Sequence, residues 1–140
     1  ERRQSFVDRL PRDASILWEI LTPVEETIPE GIAALIGEER PTAIVCWNDT
    51  IAVGVLRVLH DLGIDVPGEI SVIGYDDMSW AKVVIPSLTT VRQPFDAAAQ
   101  LVMDLLTSRM ANPTRRARHE MIDVFLVERE STGPARSITR

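Results

Sequence analysis

Four polar residues fall in two adjacent pairs, Asn48-Asp49 and Asp76-Asp77, and each pair directly follows an apolar run. Amide and carboxylate oxygens placed like this accept hydrogen bonds from a ligand's hydroxyls, and carboxylates can also hold a cation. Asn48-Asp49 stands where a helix N-cap belongs, and capping alone would explain one of the two residues. Asp76-Asp77 is harder to assign to folding. Neighbouring carboxylates repel and need partners such as ligand hydroxyls, an arginine or a metal ion. The metal reading is generic, and we expect no metal and no cofactor. A phospho-acceptor aspartate would also sit at a strand end, but that arrangement requires a lysine after a late strand. The sole lysine, Lys82, is in the wrong place.

Covalent catalysis has little to work with. Cys46 lies among apolar neighbours, where a cysteine is normally an inert core residue. His60 falls on the outer face of a helical pattern and His119 follows a basic loop, neither with a nucleophile nearby in sequence. GxSxG, HExxH, phosphate-loop and paired CxxC motifs are absent. No enzyme is expected.

The elements that carry the two pairs are legible. Ala43 to Trp47 reads as a strand ending in Asn48-Asp49, a helix runs to Gly63, and Ile70 to Tyr75 reads as a second strand ending in Asp76-Asp77. Two strands joined by one helix must run parallel, so both pairs emerge at one sheet edge. That edge, beyond the carboxyl ends of parallel strands, is where open α/β sheets bind small ligands. In the helix, Ile51, Ala52, Val55, Leu56, Val58, Leu59 and Leu62 fill one arc for packing on the sheet. Gly63 supplies the left-handed residue after the helix. Val53 falls outside the arc, and Met78 to Ile85 forms an apolar segment without period, either a core plug or an oligomer contact.

Around this unit, Phe6, Val7 and Leu10 lie at helical spacing before Pro11, and Ser15 to Leu21 alternates like a strand ending at Thr22. Thr27 and Glu30 match a capping box for a helix running to about Glu39. Leu88 to Arg92 is a short extended piece. Phe95 to Met110 is an amphipathic helix, with Phe95, Ala98, Val102, Leu105 and Leu106 on one side. Thr114 to Arg118 reads as a solvated basic loop, Glu120 to Val127 as a last strand, and Ser131 to Arg140 as a frayed tail. The fold class is therefore α/β, a parallel sheet flanked by helices.

Composition agrees with a packed soluble domain: 140 residues, 45% hydrophobic, 26% charged. A formal charge of −6 argues against direct nucleic-acid binding, whose phosphates call for a basic surface. The single cysteine permits no internal disulfide and suits a reducing, cytoplasmic setting. No apolar run approaches the roughly 20 residues of a membrane span. About four strands and an opening inside a helical pattern read as one piece of a longer protein.

Several blocks then coincide with one family. Pro41-Thr42-Ala43-Ile44, leading to Asn48-Asp49-Thr50-Ile51-Ala52-Val53-Gly54, resembles a segment of the LacI/GalR-type bacterial transcription regulators. So do Gly63 to Pro67 followed by Ile70-Ser71-Val72-Ile73-Gly74-Tyr75-Asp76-Asp77, then Pro86 to Pro94, and finally Leu126 to Thr132. The blocks cover nearly the whole chain in order, with the family's spacing. The resemblance implies one lobe of a type I periplasmic-binding-protein-like fold, in which residues 1–90 and 119–131 form the C-terminal lobe. Residues 91–112 would cross to an N-terminal lobe outside this chain, and 132–140 would be a flexible tail.

The same resemblance implies the site. Arg2 matches an arginine that holds the effector, Asn48 and Asp76 match an amide and a carboxylate that read its polar groups, and Gln93 and Phe95 match residues at the lobe crossing. Thr22 stands where some members carry a contact residue. Trp47 replaces a small residue and either crowds the cleft or stacks on a sugar ring. Regions matching Val53 and Trp80, Val83 and Val84 pair subunits. The implied protein is a dimeric repressor that senses a small polar effector, above all a sugar. It would reach operator DNA only through an N-terminal helix-turn-helix outside this chain. The alternative is a free-standing periplasmic-type sugar-binding protein of transport or chemosensing.

Overall fold

The computed structural model describes residues 2–17, 19, 28 and 31–136, with side chains from residue 3 onward. Two short helices, α1 (Arg2–Val7) and α2 (Ile32–Glu39), precede strand β1 (Ala43–Val45), helix α3 (Asp49–Asp61) and strand β2 (Ser71–Asp76). A 3₁₀ turn (Ser79–Lys82), strand β3 (Thr89–Arg92), helix α4 (Phe95–Ala111) and strand β4 (Phe125–Val127) follow. The sheet order is β1-β2-β3-β4. The first three strands are parallel, with Ala43 opposite Ser71 and Asp76 opposite Arg92, so the parallel sheet expected from the β1-α3-β2 unit is present. The last strand pairs antiparallel with β3, Arg92 facing Phe125. The chain leaves along β3 and α4 and returns beside its own outgoing strand, which is an antiparallel return and not a crossover.

One core lies between α3, α2 and the sheet. Ala52, Val55, Leu56 and Leu59 of α3 are buried against Ile44, Val72, Ile70 and Leu88, with Ile32 and Ile36 of α2 beside them. A fully buried leucine such as Leu59 contributes about 2 kcal/mol relative to an exposed one. Leu62, assigned to the same arc, lies at the C-cap and is largely exposed. Gly63 takes a φ of 69°, the left-handed conformation expected of the residue that stops α3.

Other readings need correction. Ser15, Ile16, Leu17 and Glu19 belong to no strand, and the rest of that proposed strand, with Thr22, lies outside the described residues. The capping box at Thr27 and Glu30 is outside them too. α2 instead starts after Gly31, at a φ of 82°, with no side-chain cap. The last strand shortens to Phe125–Val127, because residues 120–124 find no partner strand.

The expected frayed tail is pinned over its first part. Ser131 is buried, its hydroxyl donating to the Val72 carbonyl and accepting from the Thr89 amide. Thr132 bonds Thr89, Gly133 bonds Ser71, and Arg136 reaches the Arg40 carbonyl. The bonds of Ser131 satisfy buried backbone groups of both strands, and those of Thr132, Gly133 and Arg136 hold the segment that follows.

Helix α4 forms as expected, but none of its residues is buried. Phe95, Val102, Met103, Leu106 and Met110 are all at least half exposed. The Met78–Ile85 segment divides. Trp80, Ala81 and Val84 pack on the core, whereas Val83 and Ile85 are 75% and 94% exposed. Val53 is half-buried.

Candidate functional site

The carboxyl ends of β1 and β2 lie side by side because the strands are parallel, which brings both polar pairs to one edge. Asn48 is the N-cap of α3, its Oδ1 accepting from the Ile51 amide at 2.9 Å. That satisfies one of the orphan donors of the first helical turn and leaves the Asn48 amide nitrogen without a hydrogen bond among the described residues.

Asp49 is wholly structural. It is fully buried, with Oδ1 accepting from the Thr90 hydroxyl at 2.5 Å and Oδ2 from the Met78 amide at 2.8 Å. It thereby ties the start of α3 to β3 and to the chain leaving β2. Burial pushes its carboxyl above the usual value, Asp76 and Asp77 add to the rise, and the bonds from Thr90 and Met78 oppose it.

Asp76 and Asp77 occupy backbone that most residues avoid, with φ of 113° and 53°. Aspartate tolerates positive φ better than most side chains, yet such positions typically store on the order of 1–3 kcal/mol each. The double reversal separates the two carboxylates. Asp76 accepts from Gln93 Nε2 at 2.5 Å and faces an open hollow of about 590 Å³. Asp77 turns inward, with Oδ2 held by Arg92 Nε at 2.6 Å and Oδ1 by Arg129. Burial would raise the Asp77 carboxyl, but the bonds and charges of Arg129 and Arg92 outweigh it and hold the group below the usual carboxylate range.

The hollow is lined by Asp76, Arg92, Gln93 and Phe95, with the chain from Asp77 to Ser79 as one wall. The structure therefore brings together three expected site residues, Asp76, Gln93 and Phe95. Asn48 and Trp47 sit at the same sheet edge but outside this lining, with Trp47 64% exposed. Thr22 and the side chain of Arg2 lie outside the described residues. A smaller hollow of about 250 Å³ lies beside the last turn of α4, among Arg109, Arg115, Arg116 and Arg118, away from the strand ends.

Sequence reasoning missed Arg92 and Arg129. The available signal was that paired acids demand partners, and Arg92 is the residue opposite Asp76 in the neighbouring strand. Cys46 is buried, and its thiol is pushed up to about 12 by burial and then by Asp49, so it carries no thiolate chemistry. Among the described residues no three His, Cys, Asp or Glu side chains gather as a metal site requires.

A parallel sheet, a helix capped at the strand ends and an open hollow there form an α/β domain of the kind in which open sheets bind small ligands at the strand ends. Residues 1–132 match the periplasmic binding protein-like domain, and the chain belongs to that family. Its relatives are LacI-type regulators. The ribose operon repressor of Escherichia coli strain K12 is 40% identical over 92 residues, which are 66% of this chain and 28% of that protein. The chain thus spans under a third of the curated relatives it matches. A LacI family regulator from Enterococcus faecalis V583, solved with bound ribose, superposes with a TM-score of 0.69 at 31% identity, over 84% of this chain and 44% of that one. A dimeric Lac repressor with an 11-residue C-terminal deletion gives 0.63 at 32%, over 71% and 37%. These relatives are named as repressors and regulators, not as enzymes. No helix among the described residues is long and apolar enough to cross a membrane.

Proposed function

We propose that this chain is the effector-binding and dimerisation part of a LacI-type transcriptional repressor, sensing a sugar or a similar polyhydroxyl molecule. The observation that carries this reading is the Asp76–Gln93 pair, facing an open hollow at the carboxyl ends of the parallel strands. A carboxylate accepts from neighbouring hydroxyls of one ring, and an amide both donates and accepts, so the pair suits a polyol. Phe95, 58% exposed at the same hollow, offers its ring to the apolar face of a sugar. The ribose operon repressor and the ribose-bound regulator among the relatives support the same ligand class. Asn48, Trp47, Thr22 and Arg2 complete the proposed contact set.

In this reading residues 91–112 cross to a second lobe, which the bare apolar face of α4 supports. Operator DNA is reached through a helix-turn-helix elsewhere in the protein, in the cytoplasm. Effector favours one lobe arrangement, and by linkage effector and operator alter each other's affinity by the same factor.

Calorimetric titration of ribose into the full-length protein tests the ligand class. A Kd of micromolar order, about −8 kcal/mol, is expected. Absence of heat from ribose and from every other pentose and hexose tried would overturn it. Of the pairing surface expected at Val53, Trp80, Val83 and Val84, the exposed Val83, with Ile85 beside it, supports the reading most directly, since Trp80 and Val84 lean on the core. Val83→Asp should shift the full-length protein from dimer toward monomer in sedimentation. An unchanged dimer would remove this face from the interface.

A further inference from the structure

We infer that Arg129, which does not line the hollow, is the positioning residue of the effector site: through Asp77 it fixes the turn that aims Asp76 at Gln93 and at the ligand. The inference rests on the sugar-sensing reading only for the identity of what Asp76 meets.

The turn has to be held by something, since Asp76 and Asp77 both lie at positive φ. Three contacts do so. The Asp77 amide donates to the Thr90 hydroxyl, the Met78 amide to Asp49, and the Asp77 carboxylate is clamped between two guanidiniums. These guanidiniums are unequal. Arg92 is half exposed and borders the hollow, so it can swing toward solvent. The Arg129 side chain is only 11% exposed and spends its fork on two fixed acceptors, Asp77 and the Leu88 carbonyl at 2.6 Å.

The backbone beneath Arg129 is equally fixed. Its amide donates to Thr89 Oγ1 at 2.8 Å, and two residues on, the buried Ser131 bridges β2 and β3. A planar guanidinium that bridges a carboxylate and a carbonyl sets an angle as well as a distance, which a lysine cannot do. Without it, Asp77 keeps one solvent-facing partner and its side chain turns to water. The adjoining residue then loses the conformation that brings Asp76 within 2.5 Å of Gln93.

The test compares wild type, Arg129→Met and Arg129→Lys in the full-length protein, well below each melting temperature. Two readouts are taken: the ¹⁵N-detected side-chain amide signal of Gln93 without ligand, and the Kd for ribose. Both variants should move the Gln93 signal toward that of a solvated amide, Met further than Lys, and weaken ribose by about tenfold or more. Should Arg129→Met not fold, Arg129→Lys carries the comparison. A purely structural ion pair would lower the melting temperature and leave the Gln93 signal and the Kd where they were, and that result overturns the inference. A shifted Gln93 signal in a protein whose wild type gives no heat with ribose upholds the positioning role and counts against the sugar reading instead.

Discussion

Asp76→Asn in the full-length protein should raise the effector concentration for half-maximal response by about tenfold or more, while operator affinity without effector stays that of wild type. The substitution keeps the shape of the side chain and its tolerance for positive φ, so the strained turn survives. What it removes is the charge. A hydrogen bond to a charged group contributes about 1.5–3 kcal/mol, so one ligand hydroxyl lost from the carboxylate weakens binding by roughly ten- to a hundredfold. Asp76 touches Gln93 and the hollow and is not part of the buried Asp49–Thr90 or Asp77–Arg129 ties, so those ties should survive, while the bond from Gln93 weakens along with those from the ligand. Operator release measured by fluorescence anisotropy against ribose gives the result. An identical half-maximal concentration in the two proteins would exclude Asp76 from the ligand contacts.

The largest effect on stability is expected at Gly74, where α3 lies against β2. A Cβ there would stand 2.3 Å from Asp49 Oδ1, 3.0 Å from Leu88 Cδ2 and 3.3 Å from the Asp49 Cα. The nearest of these atoms cannot give way cheaply, because that carboxylate is buried and tied to Thr90 and Met78. Either the start of the helix lifts off the strand or the Asp49 bonds break and leave buried groups unpaired. Gly74→Ala should therefore cost about 3 kcal/mol, combining overpacking with a lost buried hydrogen bond. Thermal unfolding of the full-length protein should show the midpoint falling by several degrees. A midpoint equal to wild type would mean that the helix and strand are less closely seated than these distances require. Loss of the Asp49 anchor would also free Met78, one wall of the hollow, so the variant should bind ribose more weakly as well.

Most of what sequence could settle here is local or follows from connectivity. The cap at Asn48, the stop at Gly63 and the buried stripe of α3 are each written within a few residues, and the helix between two strands forces them parallel. Those facts alone send both polar pairs to one sheet edge, and the spacing of blocks such as Ile70 to Asp77 points to the family in which the chain belongs.

Spacing and residue type do not divide the labour among the four residues, and only the family resemblance sets Asn48 and Asp76 apart from their neighbours. Asp49 and Asp76 are the same residue type in similar positions, yet one is fully buried as a strut and the other faces the hollow. Which is which depends on two consecutive positive φ angles and on the register that sets Arg92 opposite Asp76. The partner that fixes Asp77 lies 52 residues further along the chain. The reversed direction of β4, the anchoring of Ser131 and the bare face of α4 have the same origin. Periodicity and capping record what a segment does with its own neighbours, whereas the partners of a buried charge are chosen by how distant segments pack, and that choice exists only once the chain has folded.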